Sequence, residues 1–270
     1  MHINDSFSLK NKTAVVTGAL GLLGRQHCYA LAEAGANVIV CDLDDNKCKD
    51  FAKTLTVDGM GCGVDITNTD SVKELKIKIL NQFGKIDVLV NNAAINDMFE
   101  NPAIAGELSM FENYPLDMFR KSMDVNVIGT FICSQILGSE MAKAGNGSII
   151  NIASTYGVVA PDQSIYKDEQ GKQTFYKSAA YPVTKGAVIS FTKFLAAYWG
   201  NKGVRVNSLS PGGVENNQDQ FFIDNYSQKT PLGRMAKPED YKGALVFLAS
   251  DASSYMTGAN LIIDGGWTAW

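Results

Sequence analysis

The sequence has little histidine and no patterned cysteine, and both shortages argue against particular kinds of site. His2 and His27 are the only histidines among 270 residues, which argues against a histidine-based metal centre. The five cysteines are odd in number and form no CxxC pair, which argues against a disulfide framework or a zinc ribbon. Residues 1–11 contain no apolar run of the signal-peptide type. We therefore expect no metal, and we expect the reducing cytoplasm as the compartment.

Basic clusters and long apolar stretches are missing as well. Lys and Arg number 24 against 28 Asp and Glu, and no Lys/Arg-rich block stands out, so we expect no nucleic-acid partner. No stretch reaches the length of a membrane-spanning helix, so we expect no membrane partner. Hydrophobic residues make up 46% of the chain and glycine occurs 25 times, which indicates a folded core with many tight turns.

Short apolar segments alternate with longer amphipathic ones along the chain. Strands are predicted over 13–17, 37–41, 61–65, 86–90, 148–152, 204–209 and 260–263. Helices are predicted over 22–34, 47–55, 71–83, 115–144, 183–199 and 238–250. This alternation is typical of a parallel sheet covered by helices on both faces. We therefore predict one α/β domain spanning 1–270.

Two segments interrupt the alternation, and a third is predicted as a loop. The polar segment 161–180 and the connection 212–231 both follow the ends of predicted strands, and 93–114 is the predicted loop. Ligands bind beyond the carboxyl ends of strands in open α/β sheets. We therefore predict that 161–180 is an insertion at the active site and that 212–231 is a substrate loop.

A glycine-rich turn lies between the first strand and the first long helix. Gly18 permits a tight turn, Gly21 lets the backbone approach a pyrophosphate, and Gly24 allows close packing of the helix. The N-terminus of the helix attracts the anion. A glycine motif at this position, with an acid at the end of the next strand, favours a dinucleotide site.

That acid is Asp42, whose carboxylate suits a ribose diol and repels a 2′-phosphate, so we predict NAD(H) over NADP(H). The alternative is that Asp42 caps the following helix. Asp65 follows the third strand near the expected adenine position, or else is an ordinary turn residue.

Tyr181 and Lys185 are the candidate acid/base pair. They are four residues apart, so on a helix they face the same side. An ammonium beside a phenol lowers the phenol's pKa, which suits interconversion of an alcohol and a ketone. Ser154, at the tip of the fifth strand, is placed to bind a substrate oxygen. Asn126 lies in a predicted helix, where the alternative is a satisfied buried amide.

Together these residues resemble the short-chain dehydrogenase/reductase superfamily over essentially the whole chain. The resemblance is carried by the glycine loop, Asn91-Asn92-Ala93-Ala94, Asn126, Ser154, Tyr181, Lys185, Pro211-Gly212 and Asp264-Gly265-Gly266. It implies a Rossmann-like, doubly wound, predominantly parallel sheet of seven strands that binds a nicotinamide dinucleotide. The Asn91-Asn92-Ala93-Ala94 stretch would lie beside the cofactor, or else is only a turn signal.

The resemblance also implies roles. Tyr181 would transfer the proton and Ser154 would orient the reacting oxygen. Lys185 would contact the nicotinamide ribose and lower the pKa of Tyr181, and Asn126 would support a water relay to Lys185. The expected cofactor contacts are Gly18, Leu20, Gly21, Leu22, Leu23, Gly24, Asp42, Leu43, Asp65, Ile66, Asn92, Ala93, Ala94, Tyr181, Lys185, Pro211, Gly212 and Val214. The usual assembly would be a homotetramer or homodimer packed through the long helices.

Three features depart from the classical branch of that superfamily. Leu22 stands where its middle glycine belongs, so the loop matches the TGxxGxxG form of the extended branch. The spacing of Ser154 and Tyr181 is about twice the usual one because of the segment 161–180. Asn216 replaces a threonine that contacts the carboxamide in many members. The chain length, the Asn91–Ala94 stretch and the Asp-Gly-Gly ending still favour the classical branch.

The two interrupting segments favour a polyhydroxylated substrate over a steroid or acyl chain. Their polar residues include Asp162, Gln163, Tyr166, Lys167, Gln173, Tyr176, Glu215, Asn216, Asn217, Gln218 and Gln220. Trp267 and Trp270 are candidates for stacking on a sugar ring or closing a neighbouring subunit's site. The alternative is that the polar residues are solvated and the tryptophans pack an interface. The pattern resembles dehydrogenases of bacterial surface-sugar pathways, such as flagellin-glycan biosynthesis.

The sequence therefore predicts an NAD(H)-dependent oxidoreductase that interconverts an alcohol and a ketone on a small-molecule substrate, a carbohydrate or sugar derivative. One alternative is a nucleotide-sugar epimerase or dehydratase with tightly bound NAD. A second is a non-catalytic dinucleotide sensor, which would have no need for Asn126, Ser154, Tyr181 and Lys185 together.

Overall fold

The computed structural model describes residues 2–96 and 102–270, and a seven-stranded parallel sheet organises them. The strand order is β3-β2-β1-β4-β5-β6-β7. The strands are β1 (Thr13–Thr17), β2 (Asn37–Asp42), β3 (Gly59–Gly63), β4 (Val88–Asn91), β5 (Gly147–Ile152), β6 (Val204–Pro211) and β7 (Asn260–Ile263). The order reverses between β1 and β4, which confirms the predicted doubly wound, Rossmann-like topology.

Helices cover both faces of the sheet. They are α1 (Ile3–Ser6), α2 (Leu22–Glu33), α3 (Asp45–Ala52), α4 (Thr69–Phe83), α5 (Pro102–Leu108), α6 (Leu116–Met123), α7 (Thr130–Ala144), α8 (Ala180–Trp199), α9 (Gln220–Gln228) and α10 (Lys242–Ala249). A π-helical turn, Asp124–Gly129, joins α6 to α7. No helix in the described part of the chain combines the length and apolar character needed to cross a bilayer.

Alternate residues of each central strand feed two separate apolar layers. In β1, Ala14 and Val16 pack towards α2, α3 and α10, whereas Val15 packs towards α4, α7 and α8. All three side chains are completely buried. Burial on both faces explains why this strand is apolar throughout rather than alternating.

Two loop predictions are wrong. The segment 93–114 contains α5 and a 3-10 turn at Phe111–Asn113, and 212–231 contains α9. Asp219 caps α9 by accepting from the Phe222 N–H at 2.8 Å. Tyr226 of α9 is buried in a small cluster with Ile165 of the insertion. Tertiary contacts of this kind, rather than a local apolar period, stabilise a helix this short.

The third strand ends two residues earlier than predicted. Asp65 lies beyond it, and its carboxylate accepts hydrogen bonds from the Thr67 N–H at 2.9 Å and the Thr67 hydroxyl at 2.7 Å. A side chain that bonds its own backbone two residues on forms a turn, which removes Asp65 from the strand.

Candidate active site

Two connected clefts open at the carboxyl edge of the sheet. The first, the glycine-loop cleft, has a volume of about 710 Å³ and is lined by Gly18, Asp42, Asp65 and Ile66, among others. The second, the tyrosine pocket, has a volume of about 290 Å³ and contains Ser154, Tyr181 and Lys185. Leu23, Asn92 and Ala94 line both, so the two clefts share a wall. The two clefts are therefore adjacent to each other.

The glycine loop is held closely against the loop that follows β4. Gly18 has φ +63°, and a Cβ there would lie 2.6 Å from the Ala93 Cα. At Gly24 a Cβ would lie 2.1 Å from the Gly18 carbonyl oxygen, so the helix packs on the loop itself. The Asn92 amide donates to the carbonyls of Thr17 and Gly18 at 3.0 and 2.9 Å. This cradle keeps the N-terminus of α2 open towards the cleft.

Asp42 is fixed by the backbone of the same loop. Its carboxylate accepts from the Leu20 N–H at 2.9 Å and from the Leu43 N–H at 2.8 Å. The cap of α3 is a different residue, Asp44, which accepts from the Lys47 N–H at 3.0 Å. The helix-cap alternative for Asp42 is therefore wrong, and its carboxylate borders the glycine-loop cleft.

The other predicted cofactor residues divide into those that line a cleft and one that does not. The glycine-loop cleft is also bordered by Gly21, Leu22, Leu23, Gly24, Leu43, Ala93 and Ala94, and the tyrosine pocket by Pro211, Gly212 and Val214. Leu20 packs against the core beneath the loop and contributes only its backbone N–H to Asp42. Asp65 borders the cleft, and its carboxylate also forms the Thr67 turn described above.

Ser154 is brought to Tyr181 by close packing of the turn Thr155–Gly157 on α8. A Cβ on Gly157 would lie 2.7 Å from the Lys185 carbonyl carbon, so only glycine fits there. The Thr155 hydroxyl donates to the Pro211 carbonyl at 2.7 Å, which ties the ends of β5 and β6 together. As a result the Ser154 hydroxyl hydrogen-bonds the Tyr181 side chain.

The Tyr181 and Lys185 side chains share one face of α8, as their spacing predicts. The Lys185 ammonium donates to the Ile152 carbonyl at 2.7 Å and lies 5.7 Å from the centre of the Tyr181 ring. Burial raises the pKa of Tyr181, and the Ser154 hydrogen bond offsets part of that rise. The lowered pKa predicted for Tyr181 is therefore wrong for this geometry, because burial dominates. Burial also lowers the pKa of Lys185 to about 8.

Asn126 lies in the π-helical turn and joins two elements of the site. Its amide accepts from the Ile95 N–H at 2.8 Å and donates to the Ile95 carbonyl at 3.0 Å. It also donates to the Thr184 hydroxyl at 3.1 Å, which in turn donates to the Tyr181 carbonyl at 2.9 Å. Asn126 is thus a satisfied buried amide that connects the loop after β4 to the start of α8.

Known proteins match this chain over nearly its whole length. A family model described as "Enoyl-(Acyl carrier protein) reductase" matches residues 18–268. A D-threitol dehydrogenase of Mycolicibacterium smegmatis is 34% identical over 99% of this chain and 97% of its own length. A crystal structure of a short-chain type dehydrogenase/reductase from Mycobacterium marinum superimposes with TM-score 0.84 at 32% identity, covering all of both chains. The chain belongs to the short-chain dehydrogenase/reductase superfamily.

As a member of this superfamily, the chain is an oxidoreductase that acts on alcohols. Its fold is one that binds a nicotinamide dinucleotide. A further structural neighbour is a gluconate 5-dehydrogenase from Burkholderia cenocepacia, solved with NADP and tartrate. It is 30% identical to this chain and superimposes with TM-score 0.84, and the match covers all of both chains.

The insertion 161–180 is mostly bonded to itself rather than directed at the pocket. Gln173 donates to the carbonyls of Gln163 and Phe175, each at 2.7 Å, and Asp162 pairs with Lys229. The expectation that the insertion's polar groups face a substrate is therefore wrong for Asp162, Gln163 and Gln173. Tyr166 of the insertion and Gln218 of the second loop do line the tyrosine pocket.

The two C-terminal tryptophans differ from each other. Trp267 is only 8% exposed and stacks on Tyr226 with ring centres 4.3 Å apart, so it is not free to stack on a sugar. Trp270 is 81% exposed. The difference arises because Trp267 stacks on Tyr226 inside the protein. Both belong to the small apolar cluster that also contains Ile165 of the insertion.

Several pocket residues were missed by the sequence reasoning. Tyr156, Lys177, Phe222, Tyr226 and Met235 all line the tyrosine pocket. Tyr156 lies two residues after Ser154, and its hydroxyl is 3.3 Å from that of Tyr166. Its nearness to a predicted catalytic residue was the available signal, whereas Phe222, Tyr226 and Met235 carry no local signal.

Proposed function

We propose that this chain is an NAD(H)-dependent dehydrogenase that interconverts a secondary alcohol and a ketone on a polyol or sugar derivative. The observation that carries the proposal is the meeting of Ser154, Tyr181 and Lys185 in one pocket that shares a wall with the glycine-loop cleft. The names of two similar proteins, a D-threitol dehydrogenase and a gluconate 5-dehydrogenase, support a polyhydroxylated substrate.

The cleft fits a dinucleotide in shape and in chemistry. Gly18 gives the backbone its close turn, the N-terminus of α2 suits a pyrophosphate, and the Asp42 carboxylate suits a ribose diol. When bound, the nicotinamide supplies or accepts a hydride. The negative charge of Asp42 favours NAD(H), although the similar gluconate 5-dehydrogenase was solved with NADP.

In this proposal the chain's own residues bind the reacting oxygen and move its proton. The Ser154 hydroxyl donates to the oxygen, and the Tyr181 hydroxyl, hydrogen-bonded to Ser154, gives or takes the proton. Burial holds the proton on Tyr181, which suits protonation of the alkoxide during ketone reduction. In the oxidative direction, the Ser154 hydrogen bond that lowers the pKa of Tyr181 stabilises its phenolate, and the Lys185 Nζ lies 5.7 Å from the centre of the Tyr181 ring.

The assembly we propose is a homo-oligomer through α7 and α8. Phe194 and Tyr198 of α8 are 60% and 59% exposed and stack with ring centres 5.8 Å apart. Phe131 of α7 is 45% exposed and lies 5.9 Å from the Phe191 ring. Adjacent exposed aromatic side chains are typical of protein–protein contacts.

The test is nicotinamide absorbance with NAD⁺ or NADH and a panel of polyols, sugars and keto-sugars. Tyr181→Phe is expected to lower kcat by about 10²- to 10⁴-fold, because general acid–base catalysis is lost. NADH binding by Tyr181→Phe, measured by fluorescence, should persist. The control is Tyr255→Phe, a fully exposed tyrosine away from the site.

Turnover that survives Tyr181→Phe contradicts the assigned mechanism. Substrate conversion without net change in nicotinamide absorbance, by protein that retains its cofactor through purification, instead indicates an epimerase or dehydratase. Cofactor binding with no turnover of any substrate in the panel argues against the proposed substrate class.

A further inference from the structure

Two tyrosine side chains from different parts of the chain meet in the tyrosine pocket. Tyr156 lies in the turn that follows β5, and Tyr166 ends the 3-10 turn Gln163–Tyr166 of the insertion. Both line the pocket together with Ser154 and Tyr181, and their hydroxyl oxygens are 3.3 Å apart. The pocket therefore contains a pair of phenol hydroxyls in addition to the hydroxyl of Tyr181.

The two phenols are held in place by separate parts of the structure. The Tyr156 N–H donates to the Ser154 hydroxyl oxygen at 3.2 Å, so Tyr156 is tied to the residue proposed to bind the reacting oxygen. The Tyr166 carbonyl accepts from the Thr174 hydroxyl at 3.0 Å, and the centres of the Tyr166 and Phe222 rings are 5.6 Å apart. Because both side chains are constrained before a ligand arrives, binding to their hydroxyls costs less conformational entropy.

The hydroxyl pair has hydrogen-bonding capacity beyond its own bond. A phenol has one proton and also accepts through its oxygen, so whichever tyrosine donates, the other keeps its proton for a third group. The separation of 3.3 Å is longer than the spacing of about 2.7–2.8 Å that is usual between hydroxyls, so the bond within the pair is weak. A ligand hydroxyl, which both donates and accepts, can therefore bridge the pair with little loss of existing bonding.

Both phenols stay protonated at neutral pH. Burial raises the pKa of Tyr156, and burial also raises the pKa of Tyr166 to about 12. A neutral pair can bond an uncharged hydroxyl without the large desolvation cost of a buried charge. The chemistry of the pair therefore suits a hydroxyl of a polyol.

We propose that Tyr156 and Tyr166 together bind a second hydroxyl of the substrate, apart from the hydroxyl that reacts. The inference rests on the proposed function, because it concerns the substrate of the same pocket. The reacting oxygen lies between Ser154 and Tyr181, while the second hydroxyl donates to one phenol of the pair and accepts from the other. The pair therefore selects diols and higher polyols over alcohols that carry a single hydroxyl.

The test compares three alcohols with the same four-carbon skeleton: 2-butanol, 2,3-butanediol and D-threitol. For the unmodified protein, kcat/KM for at least one of the latter two should exceed that for 2-butanol by about tenfold or more. The reason is that a site built to bind a hydroxyl discriminates against an analogue that lacks it. This ratio should fall by about threefold or more in Tyr166→Phe, and further in the double variant Tyr156→Phe/Tyr166→Phe. Each variant keeps its aromatic rings, and NADH binding measured by fluorescence shows that it is folded.

The matched control is Tyr176→Phe, at a tyrosine of the same insertion that does not line the tyrosine pocket as the described residues form it. It should keep the ratio of the unmodified protein. Turnover of 2-butanol by the unmodified protein that equals or exceeds that of the other two alcohols overturns the inference. An unchanged ratio in either variant that still binds NADH overturns it as well, and the phenols then contribute only to packing.

These two results leave the proposed dehydrogenase function standing, because turnover is present in both. The outcome that counts against that function is different. It is the absence of turnover with all three alcohols and NAD⁺, and also with NADH and the corresponding ketones 2-butanone, acetoin and erythrulose. In that case the inference is overturned together with the function on which it rests.

Discussion

The Asp42 carboxylate and the Leu20 N–H are joined by a hydrogen bond of 2.9 Å, which ties the end of β2 to the glycine loop. The same carboxylate borders the cleft proposed for the adenosine half of the cofactor. One side chain therefore shapes the loop and, in the proposed binding mode, places a negative charge near a 2′-phosphate. We therefore expect stability and cofactor choice to be coupled at this residue.

Replacing Asp42 is expected to change the preference between the two nicotinamide dinucleotides. Asp42→Asn removes the charge but keeps one oxygen that can accept from Leu20. The ratio Kd(NADPH)/Kd(NADH) should fall by about tenfold or more, because repulsion of the phosphate is relieved. The measurement is fluorescence titration with both dinucleotides. Asp50→Asn, at an exposed carboxylate on α3, should leave the ratio unchanged. Tighter binding of NADPH by the unmodified protein would refute the predicted NAD(H) preference.

The Thr184 hydroxyl is expected to position Tyr181 through the backbone of α8. Thr184→Val removes both the donor to the Tyr181 carbonyl and the acceptor for the Asn126 amide, a buried donor. We expect a loss of about 1–3 kcal/mol in the free energy of unfolding and a lower kcat, with Thr184→Ser restoring both.

Urea unfolding and steady-state kinetics measure the two effects. The control is Ser190→Ala, at an exposed position of α8. A merely structural role would lower stability and leave kcat of the folded variant unchanged, and that result would remove Thr184 from the positioning of Tyr181.

Buried His27 should make stability depend on pH in acid. It is completely buried on α2, and neither ring nitrogen has a hydrogen-bond partner among the described residues. Burial lowers its pKa to about 4 from the ordinary 6.5. Between these values the unfolded chain binds a proton that the folded chain excludes, so the free energy of unfolding falls as the pH decreases from 6.5 to 4. The contribution of His27 over that range is about 3 kcal/mol.

The measurement is urea unfolding from pH 4 to pH 7. The unmodified protein and the variant share all other titrating groups, so a difference between their pH dependences reports on His27. His27→Leu should flatten the dependence by the stated amount. His2→Asn, at an exposed histidine, should reproduce the unmodified curve. Curves of equal slope for His27→Leu and the unmodified protein would show that His27 is not the titrating group.

The stacked pair Phe194 and Tyr198 is expected to lie in a subunit interface. Phe194→Glu should shift the protein from dimer or tetramer towards a smaller species in sedimentation velocity, because a charge would be buried against apolar surface. Ile77→Glu alters a residue of comparable exposure on α4 and should not change the mass. A monomeric unmodified protein, or an unchanged mass in Phe194→Glu, would exclude this interface.

Local patterns in the sequence determined the parallel strands, the glycine loop and the shared face of Tyr181 and Lys185, whereas the doubly wound strand order was implied by the family resemblance. Each depends on neighbours within a few residues: the apolar strand segments, the φ of Gly18, and a spacing of four on a helix. Such features follow from backbone geometry alone, so reading them needs no knowledge of distant contacts.

The tertiary structure decided which other residues surround these elements. It placed Lys177 beside Tyr181 through a clamp from Gln163, and it buried Trp267 against Tyr226. It also raised rather than lowered the pKa of Tyr181. These outcomes depend on burial and on contacts between segments far apart in the chain, and no local propensity or period encodes which segments meet. The sequence therefore determined the candidate catalytic residues, while long-range packing decided their electrostatics and the walls of the tyrosine pocket.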